Sequence, residues 1–95
     1  MNCCYIIYSS KLKKFYTGIT QENVENRIAM HNTSGYGNHY TSQGDDWTLF
    51  VVINCVSLSQ AMKIEKHIKS MKSAQYIKNL QKYSEMRAKL LERYR

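Results

Sequence analysis

The stretch CCYIIYSSKLKKFYTGIT, residues 3–20, decides the fold. Residues 3–8 are apolar and rich in β-formers, residues 15–20 repeat that character, and both are predicted strands. The segment between them, SSKLKK at 9–14, is short and polar, so the strands are predicted to pair as an antiparallel hairpin. Side chains alternate across a strand. Cys3, Tyr5 and Ile7 therefore share one face, and Cys4, Ile6 and Tyr8 the other. In the second strand, Tyr16 and Gly18 oppose Phe15, Thr17 and Ile19. An even number of loop residues puts Tyr5 and Tyr16 on the same face, opposed or diagonal. Cys4, Ile6, Phe15 and Ile19 then form a core on the other face.

Outward from the hairpin, NVENRIAMHN at 23–32 has Val24, Ile28 and His31 at helical spacing. Residues 33–46 hold three of the four glycines and almost no aliphatic residue, and are expected to be a long loop. Loops of that length in compact domains are often functional. WTLFVVINC at 47–55 is nearly continuous in apolar residues, which predicts a third strand, central and buried on both faces. Ser57 and Gln60 fit a capping box for a helix over 58–71. A break near Ser73 precedes a helical stretch over 74–82, and EMRAKLLERYR closes the chain as a basic helical segment. The order β-β-α-β-α-α predicts an α+β fold: a three-stranded antiparallel sheet flanked by helices. Residues 1–83 are expected to form one domain, with 84–95 a basic helical extension packed on it or trailing from it.

The chain has 95 residues, which suits one domain, and 14 Lys+Arg against 7 Asp+Glu give a formal net charge of +7. That excess points to a polyanion, nucleic acid before a membrane surface. No apolar run approaches the ~18 residues of a membrane span. The chain opens directly on a strand, without signal-peptide features; the expectation is a cytoplasmic protein with no membrane partner. Cys3, Cys4 and Cys55 are odd in number and lack metal-ligand spacing, so they read as buried thiols.

On the helix over 58–71, Ala61, Ile64, Ile68 and Met71 form an apolar stripe, and Glu65 lies within it. A carboxylate facing a core is costly unless paired or bound to metal; an edge position, paired with a lysine, is the alternative. On the first helix Arg27 and His31 flank Ile28 on the inward side. Arg suits a phosphate and His a proton transfer, although a surface Arg and a boundary His would share that spacing. Tyr76, Leu80 and Tyr83 form a stripe on the later helix, with Asn79 beside it. Together, a tyrosine pair, an inward Arg and an inward Glu can serve metal-assisted phosphodiester hydrolysis. One carboxylate with water and substrate phosphate suffices for magnesium, Arg neutralises charge growing in the transition state, and a phenol or imidazole takes the proton of the attacking water.

These residues resemble the GIY-YIG nuclease family. Its GIY element corresponds to Cys3-Cys4-Tyr5 and its YIG element to Tyr16-Thr17-Gly18, with an eleven-residue step between the tyrosines that is typical of the family. RIAMHN is similar to the family's Arg-x-x-x-His-Asn segment. HYTS, then Trp47, the third strand and AMKIEKHIK resemble the segment with the metal-binding glutamate. The resemblance spans roughly residues 3–80. It implies that Glu65 binds magnesium or manganese, that Arg27 stabilises the phosphate, and that Tyr5 acts as or assists the general base with His31 near it. Tyr16 would hold the water or phosphate, with Gly18 and Asn79 supporting. Lys69, Lys72, Lys78 and Lys82 are the candidate phosphate contacts, and Arg87, Lys89, Arg93 and Arg95 extend the basic tail. Two features depart from the family pattern: cysteines replace the first glycine and isoleucine, and the loop before Arg27 is one residue longer than common. The implied activity is a metal-dependent endonuclease of DNA, or of RNA. With no DNA-recognition domain beside it, the expectation is structure selectivity or weak sequence specificity, unless an accessory protein or oligomer supplies more. The alternative is a non-catalytic nucleic-acid-binding module on the same fold.

Overall fold

A computed structural model describes residues 2–33 and 45–95. The strands are β1 (Asn2–Ser9), β2 (Lys14–Thr20) and β3 (Trp47–Cys55); the helices are α1 (Val24–Asn32), α2 (Leu58–Met71), α3 (Ala74–Lys82) and α4 (Ser84–Arg93). They form the α+β arrangement that the periodicity predicts. The long loop expected over 33–46, with the HYTS element, falls mostly outside the described residues.

Strand order is β2-β1-β3, with both pairings antiparallel. The expectation of a central β3 is therefore corrected. β1, whose residues Cys3–Ile7 are all buried, is the middle strand. β3 lies at an edge, and Leu49, apolar in sequence, points largely to solvent. Apolar continuity fits an edge strand covered on both faces over part of its length, which is why composition alone misplaced it.

In the hairpin, Tyr5 pairs with Gly18 and Ile7 with Tyr16, so the two tyrosines are diagonal neighbours on one face, as an even-numbered loop requires. The opposite face holds Cys4 and Ile6 with Val51, Ile53 and Cys55, and packs against Ala61, Ile64 and Ile68 of α2, Leu80 of α3 and Leu90 of α4. A second, smaller cluster of Tyr5, Ile7 and Trp47 lies under Val24 and Ile28 of α1. A bulge in β3 makes that cluster possible. The register slips opposite Ile6/Ile7, so Phe50 and Val51 both lie with the first cluster and Trp47 is turned to the second.

The helix ends are set by short side chains. Asn23 Oδ1 accepts from Glu25 N–H at α1, and Ser73 Oγ accepts from Tyr76 N–H at α3. At α2, Ser57 Oγ accepts from Gln60 N–H, but the Gln60 side chain reaches one residue beyond the box, accepting from Val56 N–H at 2.7 Å. Its Nε2 donates to Leu91 O at 2.9 Å, tying α4 to the start of α2. His67 hydrogen-bonds Tyr94 Oη at 2.8 Å and Tyr76 Oη at 3.1 Å, joining α2, α3 and the C-terminus. At the other end of the sheet, buried Ser9 donates to Asp46 Oδ1 at 2.6 Å and pins the start of β3 to the hairpin. Met71, expected in the α2 stripe, is instead 44% exposed, because α2 ends there in a left-handed cap at Lys72. All three cysteines are free and buried. No described helix is long and apolar enough to cross a membrane.

Candidate active site

Four of the candidates, Tyr5, Tyr16, Arg27 and His31, meet between β1, β2 and α1. Tyr5 is 1% exposed, and its hydroxyl lies 3.0 Å from His31 Nε2 in a buried hydrogen bond. Tyr16 stacks obliquely against the same imidazole, with ring centroids 5.0 Å apart. Gly18 makes that arrangement possible: a β-carbon there would sit 2.7 Å from Tyr5 Oη and 3.1 Å from Tyr16 Cε2. The family-like glycine is thus needed for close approach of two rings, not for an unusual backbone angle. Arg27, one helical turn before His31, lines a groove of about 290 Å³ with Ile19, Thr20, Gln21, Glu22 and Leu58.

The electrostatics fix the protonation of this group. Burial, with the nearby Tyr16, raises Tyr5 to about 12, against the opposing hydrogen bond and charge of Arg27. Burial and the Arg27 charge lower His31 to about 4. At neutral pH the pair is therefore a phenol beside a neutral imidazole, with one ring nitrogen able to accept.

Glu65 stands apart from these four on the other layer. Its helix packs on the opposite face of the sheet, and its charge acts on the Cys4 thiol, which burial already pushes up. It occupies the flank of the α2 stripe with 23% of its side chain exposed, and it pairs with Lys69 Nζ at 3.3 Å. Of the two readings open for Glu65, the structure shows the edge position paired with a lysine, at i,i+4 spacing. Lys69 in turn reaches over the Tyr16 ring, 6.0 Å from its centroid. Lys69 thus links Glu65 to the tyrosine–histidine group, and Leu58 of α2 and Arg27 of α1 line one groove with Ile19 and Thr20 of β2. Among the described residues no group of three His, Cys, Asp or Glu side chains is placed to hold a metal ion.

The remaining candidates lie elsewhere. Asn79 accepts from Gln75 Nε2 within α3, at 3.1 Å, and its carbonyl caps the helix by accepting from Tyr83 N–H. Lys72 and Lys78 are exposed, and Lys82 lies over Tyr83. One positioning residue was missed. Asn32 donates to Trp47 O at 3.0 Å and accepts from Trp47 N–H at 2.6 Å, locking the end of α1 to β3 immediately after His31. Its place in RIAMHN was legible, but its partner lay beyond a long loop.

Neither the curated proteins nor the solved structures contain a match to this chain. Residues 1–83 match the family model described as the GIY-YIG catalytic domain, so the chain belongs to the GIY-YIG family and carries a nuclease-type domain, for which nucleic acid is the implied partner.

Proposed function

We propose that this protein is a divalent-metal-dependent endonuclease that hydrolyses phosphodiester bonds in DNA, with structure selectivity or weak sequence specificity. The observation that carries the reading is the buried Tyr5–His31 hydrogen bond, with Arg27 beside it on a groove shared with the helix of Glu65.

A metal is tested by the donor set. One partly exposed carboxylate, whose present partner is an exposed lysine, suits magnesium or manganese that keeps most of its water. It does not suit zinc, which needs three or four protein ligands. Glu65 would hold the cation, which when bound supplies positive charge to the scissile phosphate and the leaving oxygen. The Arg27 guanidinium adds charge where the transition state gains it. Tyr5 receives the proton of the attacking water at Oη as its own proton passes to Nε2 of neutral His31. Tyr16 bounds the same space and orients the water or phosphate.

The Glu65–Lys69 pair favours one second reading, a nucleic-acid-binding module whose carboxylate is already neutralised. Incubation with flapped, branched and plain DNA in magnesium or manganese decides between them. The expected result is cleavage that Glu65→Ala abolishes while binding persists. Absence of cleavage on every substrate supports the binding module, and cleavage that survives Glu65→Ala removes Glu65 from the site.

A further inference from the structure

The outer face of α2 carries a feature that cleavage chemistry does not use. Ser59, Met62, Lys63, Lys66 and Ser70 recur at helical spacing on the side opposite Ala61, Ile64 and Ile68. Within that face Met62 is 52% exposed and Leu58, one turn earlier, is 39% exposed. They form an apolar shelf edged by two ammonium groups.

Three grooves share lining residues here. The Arg27 groove contains Leu58. Leu58 also lines the shelf with Met62, Lys63 and Lys66. The same two lysines then border a groove reaching Ser70 and Tyr94. Shared lining residues therefore place in sequence the Arg27 groove, an apolar step and a basic end.

We propose that the Leu58–Met62 shelf receives an unpaired nucleobase, with Lys63 and Lys66 holding the flanking phosphates. The inference rests on the nuclease reading and names its substrate class: nucleic acid with an unpaired base beside the cut. An apolar surface bordered by ammonium groups matches a ligand with a flat apolar face between anions. A paired base hides its faces inside the stack; an unpaired one offers them. Met and Leu are side chains that serve as wedges against unstacked bases, and Met adapts its shape to different ones. Met62 also lies three residues before Glu65, so the two side chains are surface neighbours on the helix. A base on the shelf therefore belongs to a nucleotide next to the reacting phosphate.

Binding without added metal, in chelator, tests this independently of cleavage. The probe is a duplex carrying 2-aminopurine, either unpaired at a flap or paired in plain duplex. The full chain should change the fluorescence of the unpaired probe on binding. Met62→Gln and, separately, Leu58→Gln should lower the preference for flap over duplex roughly fivefold, the expected loss for apolar contact of this size. Lys66→Gln should weaken both substrates and reduce the salt slope by about one. Both apolar residues are exposed, and a thermal melt verifies that each variant folds. An unchanged preference in both apolar variants overturns the proposal, as does an unperturbed probe. So does binding to phosphatidylserine vesicles that Met62→Gln removes without altering the DNA preference. A protein that shows the preference but never cuts keeps the shelf and loses the nuclease reading. A protein that cuts with unchanged preference in the variants does the reverse.

Discussion

Gly18→Ala puts the central geometric claim at risk. The new β-carbon would stand 2.7 Å from Tyr5 Oη, 2.8 Å from Tyr5 Cζ and 3.1 Å from Tyr16 Cε2. Reaching ordinary contact requires the Tyr5 ring to retreat by about 0.7 Å. It has little room, because it is buried in the second cluster and its hydroxyl is held by buried His31. Overpacking of this kind costs about 1–3 kcal/mol. Losing the Tyr5–His31 hydrogen bond adds about 1 kcal/mol. The expected destabilisation is therefore about 2–4 kcal/mol, read from urea unfolding by the linear extrapolation. Cleavage should fall by about a hundredfold under conditions where the variant remains folded, because the displaced groups are those to which the proposed reaction assigns the proton transfer. The hydrogen-bond share can be isolated with Tyr5→Phe, which removes the hydroxyl and its bond to His31 while Cζ, at 2.8 Å, still meets the new β-carbon. In that background Gly18→Ala should cost about 1 kcal/mol less, a coupling that a double-mutant cycle measures. A Gly18→Ala variant within about 0.5 kcal/mol of the native protein, or strict additivity with Tyr5→Phe, would refute the reasoning.

Three further outcomes are expected. His31 binds its proton near pH 4 in the fold and near 6.5 when unfolded, so the unfolded chain carries the extra proton between those values. Stability from this group is complete above the unfolded value and declines by about 3 kcal/mol as pH falls through the window; urea unfolding from pH 7 to pH 4 should show this slope, and His31→Gln should flatten it relative to the native chain. Lys69→Met should change the unfolding free energy by no more than about 0.5 kcal/mol, since the Glu65 pair is a surface i,i+4 contact. The same substitution should tighten manganese binding, titrated by electron paramagnetic resonance, because a competing cation is gone; weaker binding would show that Lys69 helps rather than competes. Asn32→Ala leaves the Trp47 N–H and C=O without their side-chain partner and should cost about 2 kcal/mol, with cleavage reduced more than DNA affinity.

Local pattern made most of the fold legible. The α2 and α3 spans follow from Ser57, Ser73 and the spacing of Ala61, Ile64, Ile68 and Leu80, and the shared face of Tyr5 and Tyr16 follows from the parity of the hairpin loop. These signals lie within a few residues of what they determine. Strand order was not legible, because β3 is joined to the sheet by pairing with β1, some forty-five residues away. Its bulge was also hidden: one extra residue changes which face Trp47 takes, and composition does not register it. Among the site residues, Tyr5, Tyr16 and Gly18 were linked by one register. The Asn32–Trp47 clamp and the approach of Lys69 to Tyr16 depend on how α1 and α2 dock on opposite faces, which no local spacing encodes.

That opposite docking explains why so small a domain can hold such a site. Tyr5, Tyr16 and His31 are not added to a finished core; with Ile7, Trp47, Val24 and Ile28 they are the material of the second cluster or stand against it. Polar atoms in that cluster are tolerated because they bond one another, as Tyr5 and His31 do. The charged candidates, Arg27 and Glu65, come from helices on the two faces of the sheet, and each is only partly buried. In the proposed reaction the groups that need a fixed orientation, Tyr5 and His31, are the buried ones, and Arg27 and Glu65, assigned to phosphate and metal, are partly exposed. Placing a carboxylate within the α1 cluster would cost stability that a 95-residue chain lacks. Carrying it on the opposite layer avoids that cost, and Lys69, which pairs with Glu65 and lies over the Tyr16 ring, links that layer to the tyrosine–histidine group.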